Sequence, residues 1–262
     1  MPSLKRYHLL LAVLPVVALV VAAKLAVHAA HLEFLTLDGI IPSIVAGAIF
    51  LIGFLLSHVM SDFKEAERII GEMRVALESI HSDIASFATG APDVDMPRVR
   101  RFMIDFVGLF ETCLGRAHAH SDLTPVIGKA EELTSIFADL ERRQMSGRYV
   151  VRLRSAHDVI RLALYRIAYI QRMEFSPSAH VMVQTLVISC LFLMLLLKTP
   201  DITEGALVIG FVSYMFVYAM FLVGHLEKPF RKGEATVDDV SIFLLRDFAT
   251  KLEREAATTR GA

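Results

Sequence analysis

Cysteine occurs only twice in this chain of 262 residues, and neither sign of charge prevails, the formal net charge being -1. Cys113 and Cys190 provide no disulfide framework and no zinc-ligand spacing, and they read as reduced, buried thiols. A balanced charge gives no ground for nucleic acid as a partner. There is no Gly-rich phosphate loop, no H-E-x-x-H and no G-x-S-x-G, so nothing marks the chain as an enzyme and no cofactor is implied. Strand-period alternation of useful length is missing as well, which leaves an all-α chain.

Apolar residues are what the chain has in excess. They make up 55% of it, with a mean hydropathy of +0.53, yet 21% of residues are charged. A soluble domain holds about 45–50% apolar residues. Very apolar and rather polar stretches must therefore alternate, and they do. Uncharged or nearly uncharged runs cover residues 9–30, 39–60, 181–197 and 206–226. Each approaches the length of a membrane-crossing helix. The first also has the small residues of a signal-peptide cleavage site at positions 27–30, but its length and the second run close behind it favour a retained span.

The expected organisation is an integral membrane protein with four transmembrane helices: a first hairpin over 1–60, a helical domain over 61–179, a second hairpin over 180–226 and a polar tail over 227–262. Helical periodicity places Ile69, Met73, Ala76, Leu77 and Ile80 on one face of a helix continuing out of the second span. Gly90, Pro92 and Pro97 interrupt it, and Phe102, Phe106, Leu109 and Phe110 share a face of the next helix. Two more helices are expected over 127–146 and 149–171, and an amphipathic stretch over 237–252. Lys5 and Arg6 precede the first span, and Lys228, Arg231 and Lys232 follow the fourth. The connection between spans one and two has Glu33 and Asp38 but no Lys or Arg. Basic flanks mark the cytoplasmic side, so both termini and the helical domain are expected in the cytoplasm of a cell-membrane protein.

A few polar residues stand out. Lys24 lies inside the first span, where an ionisable group marks function by default or else snorkels to the interface. Arg142, Arg143, Arg148, Arg152, Arg154, Arg161, Arg166 and Arg172 cluster late in the helical domain. They read either as salt bridges to the acidic helix over 62–83 or as an electropositive lining, Arg154, Arg161 and Arg166 being the vestibule candidates. His118 and His120 beside Ser121 and Asp122 are a weak metal pattern and more ordinarily a solvated loop. Asp238 and Asp239 are likewise weak cation ligands, since calcium needs several oxygens arranged together.

The second span and its extension carry Ile41-Pro42-Ser43-Ile44-Val45-Ala46-Gly47, then Gly53-Phe54, Glu65-Ala66 and Gly71, and Glu227-Lys228-Pro229-Phe230 follows the fourth span. These stretches, and the order of two spans, helical domain, two spans and tail, resemble the bestrophin family, its bacterial branch in particular. The chain departs from that family in having no tryptophan, in reading Ser61-Asp62-Phe63-Lys64 where bestrophins have a Trp-rich stretch, and in having Arg231 where a Gly follows Pro-Phe. Calcium control is the property these departures bear on most.

The resemblance implies a homopentameric channel conducting small inorganic ions passively, chloride among them, through a hydrophobic neck lined by the second span. Carried over by position, the neck residues are Ala46, Phe50 and Phe54, an i, i+4, i+8 stripe that ends on the Gly-Phe pair. Stacked apolar rings gate by dewetting; the same stripe also fits plain packing between helices. An apolar neck has no fixed charge and leaves the ion's sign open. The alternative class is a membrane-anchored scaffold whose helical domain binds a protein partner. A secondary transporter would want inverted repeats or paired broken helices, which the sequence does not display.

Overall fold

A computed structural model describes residues 8–36, 40–115, 122–172, 177–199, 201–227, 229–230 and 240–261. Eight α-helices account for nearly all of these: α1 (His8–Ala29), α2 (Ile40–Ala88), α3 (Met96–Gly115), α4 (Thr124–Arg142), α5 (Gly147–Arg172), α6 (Pro177–Leu195), α7 (Ile202–Leu226) and α8 (Phe243–Gly261). The one piece of β pairing among the described residues is an isolated parallel bridge between Leu35 and Leu197. The chain is all-α, as its patterning requires. It divides into two compact units, one holding residues 1–63 and 174–228, the other 64–173 and most of the remaining tail.

The apolar unit contains α1, the first part of α2, α6 and α7. Helix α7 neighbours both α1 and α6, and α1 also touches α6. Ala48, Ile52, Leu55 and Val59 recur every three or four residues along α2 and close a core with Val183, Val187 and Cys190 of α6 and with Phe216, Val223 and Leu226 of α7. Asp201 begins α7 by accepting a 3.0 Å hydrogen bond from the Thr203 amide, with Glu204 in the first turn where the helix dipole favours a negative charge. Stretches of α1, α2 and α7 are long and apolar enough to cross a membrane; the third apolar run forms the shorter apolar segment Val181–Leu195. All of α6 is 19 residues, which at 1.5 Å per residue reaches about 28 Å.

The polar unit is built on ordinary amphipathic packing. Helix α3 lies against α4 and α8, and α4 against α5. Its core is contributed by every element: Ile69, Met73, Leu77 and Ile80 of α2, Phe102, Phe106 and Phe110 of α3, Phe137 of α4, Leu153 and Leu164 of α5, and Phe248 of α8. Of the aromatic face expected on α3, only Leu109 sits at the edge of the core. The described part of the amphipathic stretch in the tail is only partly helical. Val240 and Ile242 are buried ahead of the helix, which starts at Phe243 and runs past the last apolar periodic residue, Leu252. Ahead of the helix, Val240 donates its amide to the Pro229 carbonyl at 2.8 Å.

Candidate functional site

Two features of the apolar unit are candidates for function: a bare face of α2 and a buried charge cluster at the far end of α1. At 3.6 residues per turn, Ala46, Phe50 and Phe54 lie on the side of α2 opposite Ala48, Ile52, Leu55 and Val59. The second set is buried in the core. The first is not: Phe50 is 71% and Phe54 70% exposed, and Ala46 is exposed too. Two phenylalanines on consecutive turns are therefore left largely uncovered by the described residues. Gly47 and Gly53 flank them, and a methyl group added at either would meet open space. Bulk is confined to the phenyl rings, and the rest of the face is small.

The charge cluster joins three segments. Lys24 is fully enclosed, with a side chain 1% exposed, and its ammonium lies 2.7 Å from Glu33 Oε1, itself only 8% exposed. Lys24 also donates to the Leu195 carbonyl at 3.3 Å and to the Leu197 carbonyl. His28 Nδ1 stands 3.1 Å from the other Glu33 oxygen. Burial works against a charged Glu33, but the hydrogen bonds and charges of Lys24 and His28 outweigh it and hold the carboxyl below its ordinary range. Backbone pairing reinforces the join: the amides of Phe34 and Leu35 both donate to the Leu196 carbonyl, and Lys198 donates to Leu35 at 2.7 Å. Lys24 therefore does not reach water as a snorkelling lysine would. The pairing was missed in the sequence, although Glu33 is the first acid after Lys24.

In the polar unit the late arginines all have carboxylate company where their contacts are described. Arg152 reaches Asp83 at 2.9 Å and Arg166 reaches Glu65 at 3.0 Å, both on α2. Arg154 lies 3.6 Å from Glu141, and Arg161 lies 2.8 Å from Glu131, both on α4. Arg143 bridges Asp139 and Asp93. Each vestibule candidate is thus half of an ion pair. Glu65, one of the motif residues, accepts from Arg68 and has Arg166 beside it, and these hold its carboxyl below the usual range. Its neighbour Ala66 is fully buried, whereas a Cβ on Gly71 would meet nothing. In the other motif Glu227 caps the end of α7, and Pro229 is buried, with Phe230 half-buried beside it. His118, His120, Asp238 and Asp239 lie outside the described residues; among those that are described, no group of three or more potential metal ligands converges.

One further surface escaped the sequence reading. Helix α5 buries Leu153, Ile160, Leu164 and Ile167 but leaves Val151, Leu162, Tyr165 and Tyr169 exposed. The helix is apolar on two faces, and periodicity singles out only the stronger.

No family model and no curated protein matches the sequence. Solved structures do. The chain is similar to a crystal structure of a bacterial bestrophin homologue from Klebsiella pneumoniae carrying a single substitution, with a TM-score of 0.78, 16% identity, and coverage of 97% of this chain and 98% of that one. A second variant of the Klebsiella pneumoniae homologue matches with a TM-score of 0.74 at 16% identity over 95% and 97% of the two chains. A structure described as a membrane protein matches with a TM-score of 0.76 at 15% identity over 90% and 95%. The fold is therefore bestrophin-like over nearly its whole length, at an identity that establishes the fold and no more.

Proposed function

We propose that the chain is a membrane protein that assembles with copies of itself into a bestrophin-like ion channel, a pentamer with its neck lined by the Ala46, Phe50 and Phe54 face of α2. The observation that carries this reading is the bare face itself: two phenyl rings on consecutive turns of an apolar helix, about 70% exposed, on the side opposite the residues that pack on α6 and α7. Repeated around an axis, such a face makes stacked apolar rings whose wetting sets conduction. The exposed aliphatic and aromatic residues of α5 fit the same assembly. Outside a bilayer, a contiguous apolar surface calls for a partner.

In this reading α1, the first half of α2, α6 and α7 cross the bilayer. Helix α6 at about 28 Å comes close to the roughly 30 Å hydrocarbon core. The basic flanks place the termini and the polar unit in the cytoplasm, and the membrane is the cell membrane. Permeating ions are small and inorganic, chloride among them. The arginines act as paired charges, so the field they offer an anion is weaker than their number implies. The protein has no catalytic role.

Native mass spectrometry of detergent-purified protein, followed by chloride and potassium flux from proteoliposomes, tests the proposal. A pentamer that dissipates an ion gradient supports it. A monomer or dimer that leaves the gradient intact points instead to a membrane-anchored scaffold, with the bare face of α5 as the partner's docking surface.

A further inference from the structure

We propose that Lys24 is a positioning residue: its ammonium, Glu33 and the end of α6 form a charge clasp that holds the connection entering α2 and thereby sets how readily the proposed neck opens. The proposal rests on the channel reading for its effect on opening, but not for the clasp.

A buried lysine has three N–H groups to satisfy, and each left unpaired is costly. Here three oxygens surround it: Glu33 Oε1 at 2.7 Å, the Leu195 carbonyl at 3.3 Å and the Leu197 carbonyl. The Leu195 carbonyl ends α6, where the helix leaves acceptors unsatisfied and its dipole favours a cation, and the Leu197 carbonyl lies two residues beyond. A side chain of α1 thus caps α6 from outside. Lys24 is paired with Glu33 and hydrogen-bonded to two carbonyls, and at 1% exposure its ammonium has no path to a passing anion. Its role is to hold.

What it holds is the chain that leads to α2. Glu33 is fixed on one oxygen by Lys24 and on the other by His28. The next two residues are bonded through their amides to Leu196, and Leu35 accepts from Lys198. Helix α2 starts at Ile40, only a few residues further on, and the bare face begins at Ala46. The described chain ahead of the proposed neck helix is therefore tied to α1 by the buried ion pair and to the segment after α6 by backbone bonds at Leu196 and Lys198. Breaking the ion pair loosens that tie without touching Phe50 or Phe54.

The test compares wild type with Lys24→Met, Glu33→Gln and the double variant, in purified oligomer. Hydrogen exchange at the Leu35 and Lys198 amides reads the clasp directly. Both single variants are expected to exchange there faster by about tenfold or more, and the double variant less so than Lys24→Met, because it leaves no unpaired buried carboxylate. In bilayer recordings the single variants are expected to change open probability at unchanged unitary conductance, a split that a role in stability alone would not produce. Glu33→Gln keeps the lysine and both carbonyls, and decides the matter even if Lys24→Met does not fold. Wild-type exchange rates in folded single variants overturn the clasp. Unitary conductance that changes with Lys24 overturns the positioning role and puts the residue in the ion path. Should wild type conduct nothing, the channel reading falls while the exchange rates still decide the clasp.

Discussion

At Gly205 the apolar unit has no room for one more carbon. A Cβ there would sit 2.5 Å from Thr199 Oγ1 and 2.9 Å from its Cγ2, so the first turn of α7 packs directly on the segment that follows α6. Gly205→Ala is expected to destabilise the protein by about 1–3 kcal/mol, as overpacking of a close contact does. Adding Thr199→Ala should restore part of that, and thermal unfolding in detergent measures both; equal melting points for Gly205→Ala and wild type would contradict the close packing. The surface arginines make the opposite case. Arg161 and Arg166 are 40% and 44% exposed beside their carboxylates, and Arg161→Ala or Arg166→Ala should each shift stability by less than about 1 kcal/mol. Sequence did reveal the arginine cluster and the oddity of Lys24. It did not reveal their partners, because ion pairs between α2 and α5 join residues about a hundred positions apart in one case, Glu65 and Arg166, and no local pattern reports on that.

Among elements, α8 shows what holds the tail to the polar unit. Phe248 is buried, with the Arg74 guanidinium 4.4 Å above its ring and His81 edge-on at 6.4 Å. Burial keeps the His81 imidazole below its ordinary value of 6.5, against the opposing pull of Glu255, and His157, edge-on to Phe137 on α4, is lowered by burial in the same way. As pH falls, the unfolded chain therefore takes up protons on these rings before the folded protein does. Their contribution is therefore full above pH 6.5 and is lost as pH falls through the window beneath it. Melting temperature should drop between about pH 7 and pH 5, and the double variant His81→Leu, His157→Leu should flatten that slope. An unchanged slope would remove these two histidines from the account. The helices themselves were legible because burial every three or four residues writes their faces into the sequence, as at Ile69, Met73, Leu77 and Ile80. The exposed face of α5 was not, since Leu162, Tyr165 and Tyr169 look alike whether they meet a core, a lipid or another subunit.

For the whole molecule, two kinds of surface coexist in one chain: a unit rich in apolar exposure around α1, α2, α6 and α7, and a polar unit with a closed core that exposes apolar residues mainly along α5, besides Val75 and Phe243. The bestrophin-like order of elements was readable from the succession of apolar and polar runs, together with two short motifs. What the proposed neck face does was not, because in that proposal Ala46, Phe50 and Phe54 act only once copies surround an axis. The central claim is that this face lines the path of ions. Single-channel recording from purified protein in a planar bilayer under asymmetric salt, comparing wild type with Phe50→Ala, tests it most directly. The account predicts current in both, a changed unitary conductance or open probability in the variant, and a reversal potential that gives the sign of the permeant ion. Silence from folded, oligomeric wild type, or identical currents from the two proteins, would contradict it.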